Sequence, residues 1–319
     1  MAGNEELRLS FEWGGLRLGG SLHLPDGPGP YPAALMAQGS GPADRDSGGY
    51  FVPIRSCFLD RGIATFAFDK PGCGESTGDW REYALGARAE QLLTALELIR
   101  DHPAIRGQRV GLWGHSQGGW LTQKIAGGTG KLDFAIANSA PTLSVKDQVV
   151  YDCEQTIRNA GFSAGAVTSA VTLARSIQDA AARNASFESI QEDLLKPASE
   201  HDWFTSFATI DEPMDWHHLA ALLNEPHDPN SDLERVSCPF LAVYGGLDAL
   251  LPPWSGAEES GKALTAADNT DATVVVFPGG NHRIQESETR EFVTGYLDLL
   301  GDWVAHRAFN HENSSSEPS

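Results

Sequence analysis

The residues best suited to nucleophilic catalysis lie in three separate stretches, and the first surrounds Ser116. This serine is the central residue of the sequence GHSQG at 114–118, which follows the apolar run 110–113. Glycines two residues before and after a serine allow a strand and a helix to pack closely around a sharp turn that exposes the hydroxyl. The pattern predicts a buried strand, a nucleophile elbow at Ser116 and the start of a helix.

A second stretch matches the same pattern, because GFSAG occupies residues 161–165 with Ser163 at its centre. The preceding residues, 155–160, resemble the end of a helix rather than a hydrophobic strand. An elbow needs a strand directly before the serine. We therefore assign the nucleophile to Ser116 and interpret the match at Ser163 as a chance match.

Two later loops contain a base and an acid that could activate a serine. A serine hydroxyl is a weak nucleophile at neutral pH unless a base accepts its proton and a third group orients that base. Asp248 follows the apolar run 240–244, and His282 follows the apolar run 273–277. Either residue alone would be an ordinary loop residue. The order Ser, Asp, His at the ends of predicted strands predicts a triad of Ser116, Asp248 and His282.

Acyl transfer also requires hydrogen-bond donors directed at the developing oxyanion, and backbone amides can provide them. The first expected donor is the N–H of Gln117, next to the nucleophile. The second should come from the turn QGSG at 38–41, which follows the apolar run 33–37. We favour the N–H of Ser40 over that of Gly39.

Predicted strands and helices alternate along most of the chain, and this arrangement would bring the three stretches together. Residues 7–13 and 16–24 predict an antiparallel hairpin at one edge of a sheet. Buried strands are predicted at 33–37, 63–68, 109–113, 134–138, 240–244 and 273–277, and helices at 50–61, 85–99 and 289–306. Alternating strands and helices are typical of an α/β fold with a mostly parallel sheet that helices cover on both faces.

The alternation is interrupted once, which predicts an insertion. Residues 142–232 have a helical and polar pattern, so we expect them to form a helical cap, or lid. The α/β core would then comprise 1–141 and 233–309. The last residues, 310–319, are too polar to be buried, and we expect a disordered tail there.

An aromatic cluster in the predicted cap is the candidate for a substrate pocket. It contains Trp203, Phe207 and Trp216. These side chains could line a pocket above the nucleophile or form the core of the cap itself. The cap residues 142–232 include fifteen Asp or Glu and five Lys or Arg. Such a charge balance disfavours a ligand with several phosphates and permits a neutral or amine-bearing one.

Composition limits the remaining functional classes. The 319 residues are 41% hydrophobic, enough for one large core with an insertion, and the formal net charge of −20 argues against a broad basic surface for nucleic acid or an anionic membrane. The first residues lack the features of a signal peptide and no apolar run is long enough to cross a bilayer, so we expect a cytoplasmic protein. The four cysteines show neither zinc-ligand nor disulfide spacing, so no metal or cofactor is expected. The sequence leaves open whether the protein forms a homodimer.

Taken together, these motifs resemble those of serine α/β hydrolases over nearly the whole chain outside the insertion. The loops 38–46 and 69–76, the elbow 114–118 and the acid and base loops are similar to those of the branch that includes dienelactone-hydrolase-like esterases, acyl-peptidase relatives and acyl-CoA thioesterases. The resemblance implies an α/β-hydrolase fold with a mostly parallel, eight-stranded sheet, and acyl-transfer chemistry. Gln38 and Pro71 replace a histidine and an arginine of many relatives, which leaves the second oxyanion donor and the subfamily open.

The function that we expect is hydrolysis of a carboxylic ester or lactone, a small-molecule substrate, through an acyl-enzyme and without a cofactor. Two alternatives remain on the sequence alone. The same triad could cleave a thioester or an amide, as in thioesterases and peptidases. A protein of another class, a ligand-binding protein without catalytic activity, could also have this fold.

Overall fold

The computed structural model describes residues 5–129, 131–207 and 210–310, and its strands in these residues form one eight-stranded sheet. The strands are β1 (Glu5–Trp13), β2 (Leu16–Leu24), β3 (Tyr31–Ala37), β4 (Ala64–Phe68), β5 (Ile105–His115), β6 (Ala135–Asn138), β7 (Phe240–Gly245) and β8 (Ala272–Phe277). Their spatial order is β1-β2-β4-β3-β5-β6-β7-β8. The hairpin β1–β2 and the pair β2–β4 are antiparallel and all other pairs are parallel, which confirms the predicted sheet.

Helices cover both faces of this sheet. The α-helices are α1 (Phe51–Leu59), α2 (Leu85–Arg100), α3 (Gln117–Thr129), α4 (Val145–Asn159), α5 (Ala164–Ala182), α6 (Phe187–Ile190), α7 (Lys196–Ala198), α8 (Pro213–Asn224), α9 (Pro229–Leu233), α10 (Pro253–Ala266) and α11 (Tyr296–Asn310). Strand β3 shows why both faces of the sheet are apolar. Leu35 packs into a core with α2 and α3, whereas its neighbours Ala34 and Met36 pack into a second core with α1 and α11. Successive side chains of a strand point to opposite faces, so an uninterrupted apolar run marks a strand that is covered twice.

The last helix differs from its prediction, because α11 begins at Tyr296 rather than at residue 289. Residues 285–292 fold back on themselves through an isolated antiparallel bridge between Gln285 and Phe292. Gly295, just before the helix, has a φ of 87°, a conformation that L side chains rarely adopt. The apolar spacing before residue 296 therefore belongs to a packed loop and not to a helical turn.

Between β6 and β7 the chain forms the helices α4 to α9, where the sequence predicts an insertion. Trp203 and Trp216 are both buried there, 5% and 6% exposed. The division into a cap at 142–232 and a core stays a prediction. Of the predicted tail, 310–319, all but the first residue lies outside the described residues. In the described part of the chain, no helix combines the length and apolarity needed to cross a membrane.

Candidate active site

The elbow that carries Ser116 lies between the end of β5 and the start of α3. Ser116 has a φ of 56°, and it is partly exposed whereas residues 113–115 and 117–120 are buried. A side chain at Gly114 would place its Cβ 2.1 Å from the carbonyl oxygen of Gly118, and one at Gly118 would come within 2.3 Å of the Ala37 oxygen. Only glycine permits this close approach of helix and strand, so the sequence forces the serine outward.

Ser163, the centre of the second matching pattern, has a different place in the structure. It is the N-cap residue of α5, and its hydroxyl accepts a hydrogen bond from the N–H of Ala166 at 3.3 Å. Serine is a preferred residue at this position because its oxygen satisfies a free amide of the first helical turn. A helix-capping role explains the pattern at 161–165.

The predicted acid and base are in direct contact. His282 Nδ1 lies 2.7 Å from Asp248 Oδ2. The other carboxylate oxygen of Asp248 accepts hydrogen bonds from the backbone N–H groups of Leu250 (2.8 Å) and Leu251 (3.3 Å), so the side chain is held in one orientation. Because a carboxylate can only accept, the neutral form of this imidazole carries its proton on Nδ1 and its lone pair on Nε2. Such an imidazole can act as a base.

Ser116 and His282 line the same cavity, which has a volume of about 830 Å³. The strands place them there, because β3, β5, β7 and β8 are parallel and their carboxyl ends meet at one edge of the sheet. Ser40 and Leu250 also line this cavity. The structure therefore brings the predicted nucleophile, base and oxyanion loop together around one space.

His115 also lines this cavity, but its surroundings differ from those of His282. Its ring packs 4.9 Å from the ring of Tyr50 and 4.9 Å from that of His282, measured between centroids. Burial, with smaller contributions from His282 and Arg283, lowers the pKa of His115 well below the usual value for histidine. We infer that His115 is neutral and that it packs beneath the elbow.

The oxyanion loop lies directly against the nucleophile. A Cβ added to Gly39 would be 3.2 Å from the Cβ of Ser116. The carbonyl oxygens of Gly39 and Gly41 both accept hydrogen bonds from the amino group of Lys70. In a trans peptide the C=O and the following N–H point in opposite directions. The N–H of Ser40 is therefore directed away from Lys70, and Ser40 itself lines the cavity.

Gln117, the other predicted donor, is the first residue of α3, where backbone N–H groups have no partner within the helix. Its side-chain oxygen accepts a hydrogen bond from Arg88, and the second terminal nitrogen of Arg88 lies 3.4 Å from the carbonyl oxygen of Gln38. Arg88 is only 7% exposed. One buried guanidinium thus connects the residue after the nucleophile with the start of the oxyanion loop.

Arg88 and Lys70 are the site residues that the sequence prediction missed. Burial lowers the pKa of Arg88 to about 10, and burial, followed by the charge of Arg88, lowers the pKa of Lys70 well below its usual value. Neither side chain forms an ion pair with a carboxylate among the described residues; the nearby carboxylates of Asp69 and Glu75 bind Arg45 instead. Lys70 lies within the loop 69–76, which the sequence analysis had already singled out. The sequence does not distinguish Arg88 in this way, because helix α2 shows only an apolar stripe with polar residues between the apolar ones.

A separate ion pair anchors the loop that follows. Arg45 is buried, and its guanidinium binds both carboxylate oxygens of Asp69. Its backbone N–H also donates to Asp69 Oδ1 at 2.7 Å. The same guanidinium also lies 2.8 Å from Glu75 Oε2. Burial alone would raise the pKa of Asp69, but the hydrogen bonds from Arg45 and from the N–H of Glu75 outweigh it and lower that pKa. The loops after β3 and β4 are therefore joined to each other beside the site.

The three aromatic residues predicted to line the substrate pocket do not line the cavity at Ser116. Trp203 packs in the core of the helical segment, and Trp216 is largely buried with its indole N–H donating to the carbonyl of Ala185 at 2.8 Å. Phe207 lines a different, smaller cavity between α4 and α5. Aromatic character alone could not separate residues that form a core from residues that line a pocket.

Comparison with known proteins agrees with this architecture. Residues 32–294 match the Alpha/beta hydrolase family. A 2,6-dihydropseudooxynicotine hydrolase of Paenarthrobacter nicotinovorans is 36% identical over 111 residues, which are 33% of this chain and 27% of that protein. Esterase EstD of Thermotoga maritima is 25% identical over 284 residues, 88% of this chain and 61% of the esterase. The matches thus span less than two thirds of either relative.

Among solved structures, a dienelactone hydrolase of Anabaena variabilis is similar in fold. The TM-score is 0.56 at 16% sequence identity, and the match covers 95% of this chain and 98% of that protein. At this identity the similarity concerns the fold alone. The family match spans most of the chain and includes the elbow, the oxyanion loop and the two loops that carry Asp248 and His282. The chain belongs to the alpha/beta hydrolase family.

Proposed function

We propose that the protein is a serine hydrolase that cleaves a carboxylic ester or lactone through a triad of Ser116, His282 and Asp248. One observation carries the proposal: the imidazole that is hydrogen-bonded to Asp248 lines the same cavity as the partly exposed hydroxyl of Ser116. A nucleophile, a base and an orienting acid are the three groups that acyl transfer by a serine requires.

In the first half of the reaction His282 Nε2 accepts the proton of the Ser116 hydroxyl as its oxygen attacks the substrate carbonyl. The carbonyl oxygen becomes an oxyanion, which the N–H groups of Gln117 and Ser40 bind. Asp248 stabilises the imidazolium that forms. The tetrahedral intermediate then expels the alkoxide, the imidazolium protonates it to an alcohol, and the acyl group stays on Ser116.

In the second half a water molecule replaces the alcohol. His282 accepts a proton from the water while its oxygen attacks the acyl carbon, and the same two N–H groups bind the second oxyanion. Collapse of this intermediate releases a carboxylic acid and returns the proton to Ser116. The net reaction consumes one ester and one water and yields one acid and one alcohol. A lactone yields both groups in one molecule.

The names of the two relatives, an esterase and a 2,6-dihydropseudooxynicotine hydrolase, support hydrolysis over ligand binding without catalysis. Arg88 supports it further: among the described residues it is buried beside the oxyanion loop with hydrogen bonds to Gln117 and Gln38 but no carboxylate partner, and such a cation is costly to desolvate and helps a reaction in which negative charge develops. An ester or lactone is proposed ahead of a thioester because of the excess of carboxylates in residues 142–232, which would repel a polyphosphate carrier.

The decisive experiment is labelling with a fluorophosphonate probe followed by peptide mapping. An activated serine reacts rapidly, so the peptide containing Ser116 should carry the label, and Ser116→Ala should abolish it. Ser163→Ala is the matched control, because it alters the other GxSxG serine and should label like the wild type. Absence of rapid labelling in the folded wild type, or labelling that survives Ser116→Ala, would contradict the proposed nucleophile.

A further inference from the structure

A second cavity of about 280 Å³ lies in the helical segment between β6 and β7. One face of α4 forms part of its wall through Val149, Asp152, Cys153 and Thr156, which are spaced as neighbours on a helix surface. The remaining lining is mainly apolar: Ile157, Ala174, Ile177, Phe207, Ile210 and Leu219, with Ser206. Among the described residues that line this cavity, Asp152 has the only charged side chain.

The carboxylate of Asp152 has few hydrogen bonds or opposite charges around it that would stabilise its negative charge. It accepts one long hydrogen bond, 3.5 Å, from Thr156 Oγ1, and it is absent from the ion pairs formed by the described residues around it. Glu154 on the same helix, in contrast, forms an ion pair with Arg158. Burial raises the pKa of Asp152 because the charged form is poorly solvated. A partly buried carboxylate that has no ion-pair partner among the described residues and lines an apolar cavity favours the entry of a cation.

This cavity is next to the proposed triad. Gln148, one turn before Asp152 on α4, donates its side-chain N–H to the carbonyl of Leu250, a residue of the cavity at Ser116. Leu250 is only two residues from Asp248, whose carboxylate accepts the backbone N–H of Leu250 at 2.8 Å, so helix α4 contacts the loop that carries the proposed acid. A substrate bound at Ser116 could therefore extend one of its substituents along α4 to Asp152.

We propose that Asp152 and the apolar walls around it form a subsite for a cationic group, so that the preferred substrate carries an ammonium joined by an aliphatic chain to the reacting carbonyl. The subsite rests on the proposed function for its role in catalysis, but the binding of a cation does not. A quaternary ammonium fits such a site, because its charge is spread over methyl groups that contact the apolar walls while the carboxylate balances it.

The first experiment measures binding without catalysis. Hexyltrimethylammonium is titrated into the full-length protein by calorimetry at pH 7.5 and low salt. Asp152→Asn, which keeps the shape and removes the charge, should weaken binding by about tenfold or more, whereas Asp152→Glu should retain most of it. Glu154→Gln is the control, because it removes a carboxylate from the same helix outside the cavity and should bind like the wild type. Equal affinity of the wild type and Asp152→Asn would overturn the proposal.

The second experiment connects the subsite to turnover. The p-nitrophenyl esters of 6-(trimethylammonio)hexanoic acid and of 7,7-dimethyloctanoic acid differ only in a positive nitrogen that replaces a carbon. The wild type should have a higher kcat/KM for the cationic ester, and the ratio between the two esters should fall by about tenfold in Asp152→Asn. A wild-type ratio of one or less overturns the subsite and needs no variant to interpret.

The two proposals fail in different ways. Rapid Ser116-dependent hydrolysis of both esters without a charge preference would refute the cation subsite and leave the hydrolase function intact. Binding of hexyltrimethylammonium that depends on Asp152, together with a Ser116 that reacts with neither ester nor a fluorophosphonate, would support the subsite and refute the hydrolase function.

Discussion

Replacing Lys70 by methionine should slow turnover of a small activated ester by about 10- to 100-fold while the protein stays folded. The amino group of Lys70 holds the carbonyls on both sides of Ser40, those of Gly39 and Gly41. Methionine has a similar length but donates no hydrogen bond, so both carbonyls become free to rotate. The N–H of Ser40, which belongs to the same peptide unit as the Gly39 carbonyl, would then lose its fixed direction.

The magnitude follows from the remaining contacts of the loop. Loss of one oxyanion donor typically lowers kcat by about 10² to 10³. The loop is not fully released in this variant, because the side-chain amide of Gln38 donates to the carbonyls of Phe68 (2.6 Å) and Asp44 (3.2 Å). Two lost hydrogen bonds at about 1 kcal/mol each correspond to a roughly 30-fold lower kcat, which is less than the loss expected when an oxyanion donor is removed completely.

Stability should change much less than activity. Lys70 is 2% exposed and burial lowers its pKa, so the native state pays for desolvating the amino group. Removal of that group offsets the loss of two hydrogen bonds, and we expect Tm to stay within a few degrees of the wild type.

The assay is steady-state hydrolysis of p-nitrophenyl butyrate, with kcat and KM determined separately and Tm measured on the same preparations. The control is Lys262→Met, which removes an exposed lysine that binds Glu258 and Glu259 on α10 and should retain full activity. A misaligned oxyanion donor acts in the transition state and lowers kcat with little change in KM. A folded Lys70→Met protein with kcat within twofold of the wild type, or a loss confined to KM, would refute the reasoning.

The remaining predictions concern the triad and the ion pair beside it. Ser116→Ala and His282→Ala should each lower kcat by about a thousandfold or more with Tm unchanged, and the double variant should be no slower than the worse single one, since the residues act as a unit; an additive loss in stopped assays would contradict this. Asp248→Asn should retain more activity than His282→Ala, because the acid orients the base without transferring the proton; the comparison of their kcat values decides it. Asp69→Asn should lower the free energy of unfolding at pH 7 by up to about 3–5 kcal/mol, because buried Arg45 loses its buried carboxylate partner and keeps only the half-exposed Glu75. The folded state lowers the pKa of Asp69. The stability that its carboxylate contributes is therefore complete above the unfolded carboxyl pKa of about 4 and is lost as the pH falls through the lower folded pKa. If urea unfolding gave the same difference in unfolding free energy between wild type and Asp69→Asn at pH 7 and at pH 3, it would contradict the assignment.

The sequence was most informative where local pattern and tertiary environment agree. The run 33–37 is apolar at every position because β3 is buried on both faces, and Gly114 and Gly118 are required by contacts within one turn of Ser116. The order of the acid and base loops follows from the order of the strands. These features depend on neighbours that are close in sequence or on a sheet topology with few alternatives, so the sheet could be predicted from the chain alone.

Features that depend on distant elements could not be predicted in the same way. Arg88 reaches the elbow because α2 packs against β5 and α3, yet within α2 it is one polar residue between apolar ones. In the helical segment, the faces of α4, α5 and α8 that meet decide which aromatic side chain is core and which lines a cavity. Phe207 therefore lies at the second cavity and Trp203 does not. Helix periodicity identifies an apolar face but not the partner of that face.

Two charged residues that the sequence analysis did not single out, Arg88 and Asp152, lie at the two cavities and their surroundings. Arg88 lies beneath Gln117 and the start of the oxyanion loop, on the side where negative charge would develop on the substrate. Asp152 lines the second, mainly apolar cavity, one helical turn after Gln148, which donates to the carbonyl of Leu250 at the Ser116 cavity. If Asp152 binds a cation as proposed, a substrate with a carbonyl at one end and a cation at the other would be oriented by both charges, whereas the reversed orientation would place its cation next to Arg88. Because like charges in a desolvated site repel strongly, the proposed subsite would select one orientation of the substrate before any bond to Ser116 forms.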